Sequence, residues 1–205
     1  MKTETLPTTN PESFARAVEI LKRGGLVAFP TDTVYGLAAQ VDNPAAIEKL
    51  YQAKQRSKEK AIPVLLGSPA ELVQVAASVS PAAQNLADAF WPGPLTLVIV
   101  GHPDLPDNLA PGPTLGVRIP NHVDALTLLG LTGPLAVTSA NLSGGENTSS
   151  AAQVAAQLSG RIDLILDGGI TPGGQPSTVV DCTSETLAIL RSGPISQDEI
   201  QGKSR

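Results

Sequence analysis

An apolar segment gives way to a polar one within residues 26–36, which read Leu26-Val27-Ala28-Phe29-Pro30-Thr31-Asp32-Thr33-Val34-Tyr35-Gly36. The first four residues predict a short buried strand, and Pro30 marks its end because proline has no N–H for a strand ladder. Thr31 and Asp32 therefore follow a buried strand directly, which is where open α/β sheets bind ligands. The same side chains also suit a turn that bonds its own backbone, and their spacing leaves both interpretations open.

Predicted helices flank this segment on both sides. Asn10-Pro11 predicts a helix start, with asparagine as the N-cap and proline in the first turn, and Gly24-Gly25 predicts the helix end. A capping residue followed by proline recurs at Asn43-Pro44, Ser68-Pro69 and Ser80-Pro81. Two further helices are predicted, one over residues 122–129 and one that begins after residue 149 or 150.

Apolar runs between these helices predict the remaining strands. They cover residues 61–66, 95–100, 115–119, 135–138, 162–166, 178–182 and 187–191. Only a few residues join the last two, which are therefore expected to be antiparallel. The alternation predicts an α/β fold, a single domain with a twisted sheet of parallel and antiparallel strands flanked by helices. We expect an N-terminal arm at 1–9, the domain at 10–200 and a frayed tail at 201–205.

The composition restricts the class of protein. Of the 205 residues, 41% are hydrophobic and 16% are charged, which is enough apolar surface for a folded domain and excludes a disordered chain. No apolar run approaches the ~20 residues that cross a bilayer, and the first residues do not resemble a signal peptide, so we expect a cytoplasmic protein without a membrane partner. One cysteine and two histidines exclude an internal disulfide and a structural zinc site.

The net charge of −5 argues against non-specific nucleic-acid binding, because the whole molecule repels polyanions. One local exception is the basic cluster Lys54, Arg56, Lys58 and Lys60. In an extended chain this period of two would put all four cations on one face, where an anion such as a triphosphate would relieve their repulsion. A solvated basic loop is the alternative interpretation of the same cluster.

Other polar residues also interrupt apolar segments. Ser139 and Asn141 follow a predicted strand two residues apart and could hydrogen-bond a ligand or form a turn. Arg118 and Arg191 lie in apolar strands, where each guanidinium needs an anionic partner or access to solvent. The sequence has no G-x-G-x-x-G motif after the first strand and no nucleophile or metalloprotease motif, so covalent catalysis is not indicated.

Seven segments in this order resemble the YrdC family of threonylcarbamoyl-AMP synthases in its short, single-domain form. Each segment is a weak signal alone, whereas seven in register are specific. The segments are Phe29–Leu37, Lys54-x-Arg56, Trp91–Thr96, Val117–Pro120, Ser139-x-Asn141, Ser177–Asp181 and Arg191-x-Gly193.

This resemblance implies an enzyme that condenses L-threonine, bicarbonate and ATP into threonylcarbamoyl-AMP and pyrophosphate. The reaction is an adenylyl transfer, which makes the enzyme a nucleotidyltransferase, and the product serves the N6-threonylcarbamoyladenosine modification at position 37 of tRNA. Mg²⁺ would be bound by the ATP phosphates and not by a protein metal site. The resemblance further implies hand-over of the product to a tRNA threonylcarbamoyl-transferase complex, and at most weak RNA binding.

The resemblance also implies roles for individual residues. Lys54 and Arg56 are expected to be catalytic. The residues expected to contact ATP are Lys54, Arg56, Thr114, Ser139, Asn141, Asn147 and Arg191. Those expected to contact threonine are Thr31, Arg118, Val137 and Ser177.

Two departures from the family pattern leave alternatives open. Ser57 stands where the family has proline after the Lys-x-Arg motif, and Ala61-Ile62 replaces the usual Pro-Leu. A binding module for structured RNA without synthase activity is one alternative, which the net negative charge disfavours. A carbamoyl-transfer paralogue is the other, and a single cysteine disfavours it because those longer chains carry zinc-finger cysteines.

Overall fold

Helix starts follow the capping signals in the sequence. The Asn10 side chain accepts a hydrogen bond from Glu12 N, and Asn43 and Ser80 cap the helices that follow them in the same manner. The computed structural model describes residues 2–204, and no helix within them is long and apolar enough to cross a bilayer. Its helices are α1 (Pro11–Lys22), α2 (Pro44–Lys54), α3 (Leu72–Val75), α4 (Pro81–Phe90), α5 (Val123–Thr132), α6 (Ala151–Leu158) and α7 (Gln197–Lys203), and Pro69–Glu71 forms a 3-10 turn.

The strands form one mixed sheet. They are β1 (Glu4–Pro7), β2 (Val27–Phe29), β3 (Gly36–Gln40), β4 (Val64–Leu65), β5 (Ala76–Ser78), β6 (Leu95–Gly101), β7 (Thr114–Arg118), β8 (Leu135–Ser139), β9 (Leu164–Asp167), β10 (Thr178–Asp181) and β11 (Ala188–Arg191). Their order is β1-β9-β2-β3-β8-β4-β7-β6-β10-β11, and β5 pairs with β6 outside this path. β9 is parallel to β1 and β2, β4 to β7, and β6 to β10, while the other pairs are antiparallel. This arrangement confirms the predicted α/β class, and β10 and β11 are antiparallel as expected.

Apolar side chains cover both faces of the sheet. Successive residues of β3, Leu37 and Ala38, belong to two different buried clusters, as the alternation of side chains along a strand requires. The larger cluster packs against α2, α4 and α6, and the smaller one against α1 and α5. Burial of strands on both faces explains why they appear in the sequence as continuous apolar runs.

Both ends of the chain differ from the expectation. The predicted arm contains β1, where Glu4 pairs with Leu164 and the strand adds to the edge of the sheet. The predicted tail contains the end of α7. A capping box formed by Ser196 and Glu199 lies at the start of this helix. Four strand residues give too short a pattern for sequence analysis to detect, and the capping box lies outside any apolar run. Met1 of the arm and Arg205 of the tail lie outside the described residues.

The interior elements differ in smaller ways. The strand predicted over residues 61–66 is reduced to β4, because Ile62 N donates to Leu109 O at 2.9 Å and Pro63 has no N–H to donate. Sequence analysis also missed β3 and β5. β3 begins at Gly36, immediately after the polar segment, so that segment connects two antiparallel strands, β2 and β3.

Replacing Leu50 by alanine tests the larger apolar cluster. Leu50 lies on α2 and is fully buried, so Leu50→Ala should lower the free energy of unfolding by about 2–5 kcal/mol. Urea denaturation followed by circular dichroism measures this loss. Val73 of α3 is 77% exposed, and Val73→Ala should change the same free energy by less than about 0.5 kcal/mol. Equal losses for the two variants would contradict the packing described here.

Candidate active site

A cavity of about 260 Å³ brings together most of the polar residues singled out in the sequence. Eight of the eleven predicted site residues line it: Thr31, Arg56, Arg118, Val137, Ser139, Asn147, Ser177 and Arg191. Lys54, Asn141 and Thr114 do not line this cavity.

The cavity spans one face of the twisted sheet. Thr31 follows β2 and Ser139 ends β8, whereas Ser177 precedes β10. β8 is antiparallel to β4, and β4 is parallel to β7. β7 is antiparallel to β6, which is parallel to β10, so β8 and β10 run in the same direction. Ser139 follows the direction of its strand to the carboxyl end, whereas Ser177 lies before the amino end of its strand, so in a flat sheet the two would lie at opposite ends of the strands. Both residues nevertheless line the same cavity.

Arg118 is the most buried of the three arginines that line the cavity. It ends β7, and its Nη2 donates to Asp32 Oδ1 at 2.5 Å while its Nη1 donates to Thr33 Oγ1 at 3.0 Å. Its Nε donates to Gly93 O at 2.9 Å. Arg118 is only 6% exposed, so burial lowers the pKa of its guanidinium, and the Asp32 carboxylate opposes that shift. Asp32 is thus the carboxylate partner that an arginine in an apolar strand requires.

The sequence left open whether residues 31–33 form a local turn or contribute to a ligand site, and the structure shows features of both. Thr31 Oγ1 donates to Val34 O at 2.7 Å and accepts from Thr33 N at 3.2 Å, which are the bonds of a local turn. The hydroxyl groups of Thr31 and Thr33 are 3.0 Å apart, and both residues line the cavity. The turn therefore holds these hydroxyls beside Arg118, where they can also contact a ligand.

Arg191 lies across the cavity at the end of β11. Its Nε and Nη2 donate to Ser177 O at 3.0 and 2.8 Å, and Nη2 also reaches Ser177 Oγ at 3.0 Å. Gly193 permits this close approach, because a Cβ atom there would lie 2.3 Å from Thr178 N. Burial lowers the pKa of Arg191, and the nearby guanidinium of Arg56 lowers it further. The Arg-x-Gly motif is therefore a packing requirement of this wall.

The basic cluster does not form one cationic face. Helix α2 ends at Lys54, and the left-handed backbone of Gln55 turns the chain so that Arg56 points into the cavity. Arg56 is held by bonds to Ala61 O at 2.9 Å and Lys60 O at 3.2 Å. Lys58 instead pairs with Glu48 at 2.8 Å on the surface. The extended arrangement with a period of two is wrong because Lys54 is helical.

Lys54 and Asn141 support the cavity from behind. The Lys54 ammonium donates to the backbone carbonyls of Ser139 and Asn141 and lies 3.4 Å from Asn141 Oδ1. The Asn141 amide donates to Leu142 O and Gly145 O. These bonds fix the turn that follows β8. Burial lowers the pKa of Lys54 to about 7, with a smaller effect from the positive charge of Arg56.

Thr114 lies away from this cavity. It begins β7 while Arg118 ends it, which places the two residues about 13 Å apart along the strand. Thr114 is exposed and lines a second cavity of about 410 Å³ formed by residues 101–115. The expected contact between Thr114 and ATP therefore finds no support in the geometry of the first cavity.

The cavity has an excess of positive charge. The guanidiniums of Arg56, Arg118 and Arg191 all line it, and Asp32 pairs with one of them. Within residues 2–204, no three His, Cys, Asp or Glu side chains lie together where they could hold a metal ion. The site can therefore bind an anion with two uncompensated guanidiniums and several hydroxyl groups.

Sequence analysis did not select three hydroxyl residues of the cavity. Thr33, Thr96 and Thr138 are buried and line its wall. Thr33 and Thr96 lie within the segments that carry the family resemblance, but no feature of their spacing distinguishes a ligand-facing threonine from a packed one. Their positions in those segments were the only available signal.

The chain is similar to known proteins in sequence and in fold. A model for the Sua5, YciO and YrdC proteins, described as "Telomere recombination", matches residues 19–193. The chain is 39% identical to a threonylcarbamoyl-AMP synthase of Bacillus subtilis, covering 97% of this chain and 58% of that protein. It is also 39% identical to a putative threonylcarbamoyl-AMP synthase of Mycobacterium tuberculosis, covering 97% of this chain and 94% of the relative.

Among solved structures, the fold matches Pyrococcus abyssi Sua5 complexed with L-threonine. The TM-score is 0.93 at 36% sequence identity, and the match covers 98% of this chain and 60% of that one. This chain thus spans about three fifths of the B. subtilis and P. abyssi proteins and nearly the whole of the mycobacterial one.

Replacing Lys54 by methionine tests the burial of its ammonium. Between about pH 7 and pH 10.5, folded wild-type protein has released the Lys54 proton while the unfolded chain retains it. The unfolded state then binds more protons, so wild-type stability should rise with pH relative to Lys54→Met across this window. Urea denaturation at several pH values measures the difference. Lys58→Met, which removes an exposed ammonium, should keep the wild-type slope, and a flat difference between wild type and Lys54→Met would contradict the lowered pKa.

Proposed function

The chain belongs to the Sua5/YciO/YrdC family, and we propose that it is a threonylcarbamoyl-AMP synthase. Membership in this family confirms the resemblance indicated by the seven sequence segments. The proposed reaction joins L-threonine, bicarbonate and ATP into threonylcarbamoyl-AMP and releases pyrophosphate and water. The names of the B. subtilis and M. tuberculosis relatives and the L-threonine bound to P. abyssi Sua5 support this assignment.

One observation carries the proposal: three guanidiniums and a group of hydroxyls line one cavity, and within residues 2–204 only Arg118 of the three pairs with a carboxylate. A threonine carbamate must approach the α-phosphorus of ATP, so two anions have to meet. Their repulsion is the main obstacle, and positive charge fixed beside both reactants offsets it. The reaction then needs positioning and charge neutralisation, with no nucleophile from the protein.

Arg118 is suited to bind the carboxylate of threonine. A guanidinium has five N–H hydrogens, and Arg118 uses three of them on Asp32, Thr33 and Gly93. The remaining two are available to a ligand in the cavity. Pairing with Asp32 fixes their direction, which favours a two-point contact with a carboxylate.

Arg56 and Arg191 are suited to bind the phosphates. Both donate to backbone carbonyls, and neither pairs with a carboxylate of residues 2–204, so their charges remain uncompensated toward the cavity. Ser139 and Asn147 also line the cavity and provide neutral hydrogen-bonding groups for the nucleotide. Lys54 contributes to this half of the site by holding the Ser139 carbonyl in place.

The remaining partners follow from the same chemistry. Mg²⁺ enters with ATP as part of the nucleotide substrate, in keeping with the lack of a metal-binding cluster in the described chain. Transfer of the AMP group to the carbamate makes the enzyme a nucleotidyltransferase. The labile product then passes to a complex that modifies tRNA, and we place the reaction in the cytoplasm, where tRNA and ATP are available.

Pyrophosphate release tests the proposed reaction. Purified protein with ATP, Mg²⁺, bicarbonate and L-threonine should release pyrophosphate, and omission of any one substrate should abolish the release. A coupled pyrophosphatase assay measures the rate, and mass spectrometry identifies the product. Release that does not depend on L-threonine would contradict the assignment of the substrate.

Arginine replacements test the charge of the cavity. Arg56→Ala and Arg191→Ala should each lower kcat/KM about 10²-fold, as expected for lost charge contacts in the transition state. Arg161→Ala is the matched control, because Arg161 is exposed and does not line the cavity. If Arg56→Ala and Arg191→Ala both retain the activity of Arg161→Ala, neither guanidinium neutralises the reactants.

A further inference from the structure

Thr96 is a buried hydroxyl residue on the cavity wall with no role in the reaction described above. It is the second residue of β6, and the register of β6 with β7 pairs Leu97 with Val117. Extending this antiparallel register by one residue places Thr96 opposite Arg118. Thr96 therefore lies on the strand next to Arg118, the residue suited to hold the amino-acid carboxylate, and both line the cavity.

The Thr96 side chain bonds to Ser177 and to no other residue within 2–204. Its Oγ1 lies 2.7 Å from Ser177 Oγ, and either hydroxyl could be the donor. Ser177 Oγ also accepts a hydrogen bond from Arg191 Nη2 at 3.0 Å. Two hydroxyl hydrogens are present in this pair, and the bond between the two oxygens uses only one of them.

The second hydroxyl hydrogen has no protein acceptor in the described chain. Both Thr96 and Ser177 line the cavity and both are 4% exposed, so this hydrogen is directed to whatever the cavity holds. The pair thus offers one hydrogen-bond donor to a ligand. A buried donor without a partner is unfavourable, which makes a ligand oxygen the natural acceptor.

We propose that Thr96 is a positioning residue that directs the Ser177 hydroxyl hydrogen to an oxygen of the amino-acid carboxylate. When Thr96 donates to Ser177 Oγ, the two lone pairs of that oxygen are taken by Thr96 and Arg191, and the Ser177 hydrogen can point only into the cavity. Two donors to the same oxygen, one of them charged, also polarise the Ser177 O–H and strengthen its bond to an anion. This inference rests on the proposed function, because the ligand is its amino-acid substrate.

Thr96→Val removes the hydroxyl and keeps the shape of the side chain. A contact with the carboxylate is the same before and during the reaction, so its loss should raise the KM for L-threonine about tenfold and change kcat by less than about twofold. Thr96→Ser restores the hydroxyl and should bring the KM back toward the wild-type value. A lowered kcat with unchanged KM would overturn the inference.

A double-mutant cycle separates positioning from direct contact or simple packing. In the Ser177→Ala background there is no hydroxyl left to direct, so adding Thr96→Val should produce no further rise in KM. Titration calorimetry with L-threonine should show the same pattern for binding without turnover. If Thr96→Val weakens L-threonine equally in the wild-type and Ser177→Ala backgrounds, Thr96 does not act through Ser177.

The outcome for wild-type protein distinguishes this inference from the proposed function. Wild-type protein that neither binds L-threonine nor needs it for pyrophosphate release would overturn the proposed function, and the inference with it. Wild-type protein that binds L-threonine, together with Thr96→Val of unchanged affinity, would overturn the inference alone. Ser177→Ala leaves Thr96 intact. The rise in KM for L-threonine in Ser177→Ala therefore measures the contribution of the Ser177 hydroxyl even if Thr96→Val folds poorly.

Discussion

Burial of the Arg118 guanidinium is the constraint that organises the site. A charge removed from water needs hydrogen-bond acceptors, and here they come from segments far apart in the chain: Asp32 and Thr33 after β2, and Gly93 before β6. Each of these segments is thereby tied to the end of β7. The same bonds leave part of the guanidinium facing the cavity, so the contacts that stabilise the buried charge also prepare it for a ligand.

The parts of the fold that the sequence predicted are those with local physical causes. Asn10, Asn43 and Ser80 cap helices because a short polar side chain followed by proline favours a helix start wherever it occurs. Strand β1 is different, since four residues become a strand only because β9 lies beside them. The length of β4 likewise depends on a bond from Ile62 to a distant loop. Such causes are not visible within a short stretch of sequence.

The same contrast between local causes and long-range contacts applies to the site. The motifs named residues that mostly share one cavity, but they did not show which side chains point into it. Lys54 and Arg56 are two residues apart, and Gln55 between them has a left-handed backbone. As a result, Lys54 is buried behind the cavity wall, whereas Arg56 lines the cavity. The contribution of Thr96 becomes visible only beside Ser177, which is 81 residues away. Direction and long-range pairing are properties of the folded chain.

The position of β9 has a consequence for synthesis. β9 lies between β1 and β2 in the sheet. Two strands from the first 30 residues therefore both pair with a strand formed by residues 164–167. A nascent chain leaving the ribosome therefore carries these two strands without their shared neighbour until residues 164–167 have been made. Such late, long-range pairing makes folding slow and exposes the growing polypeptide to aggregation, which is the situation in which cellular chaperones assist.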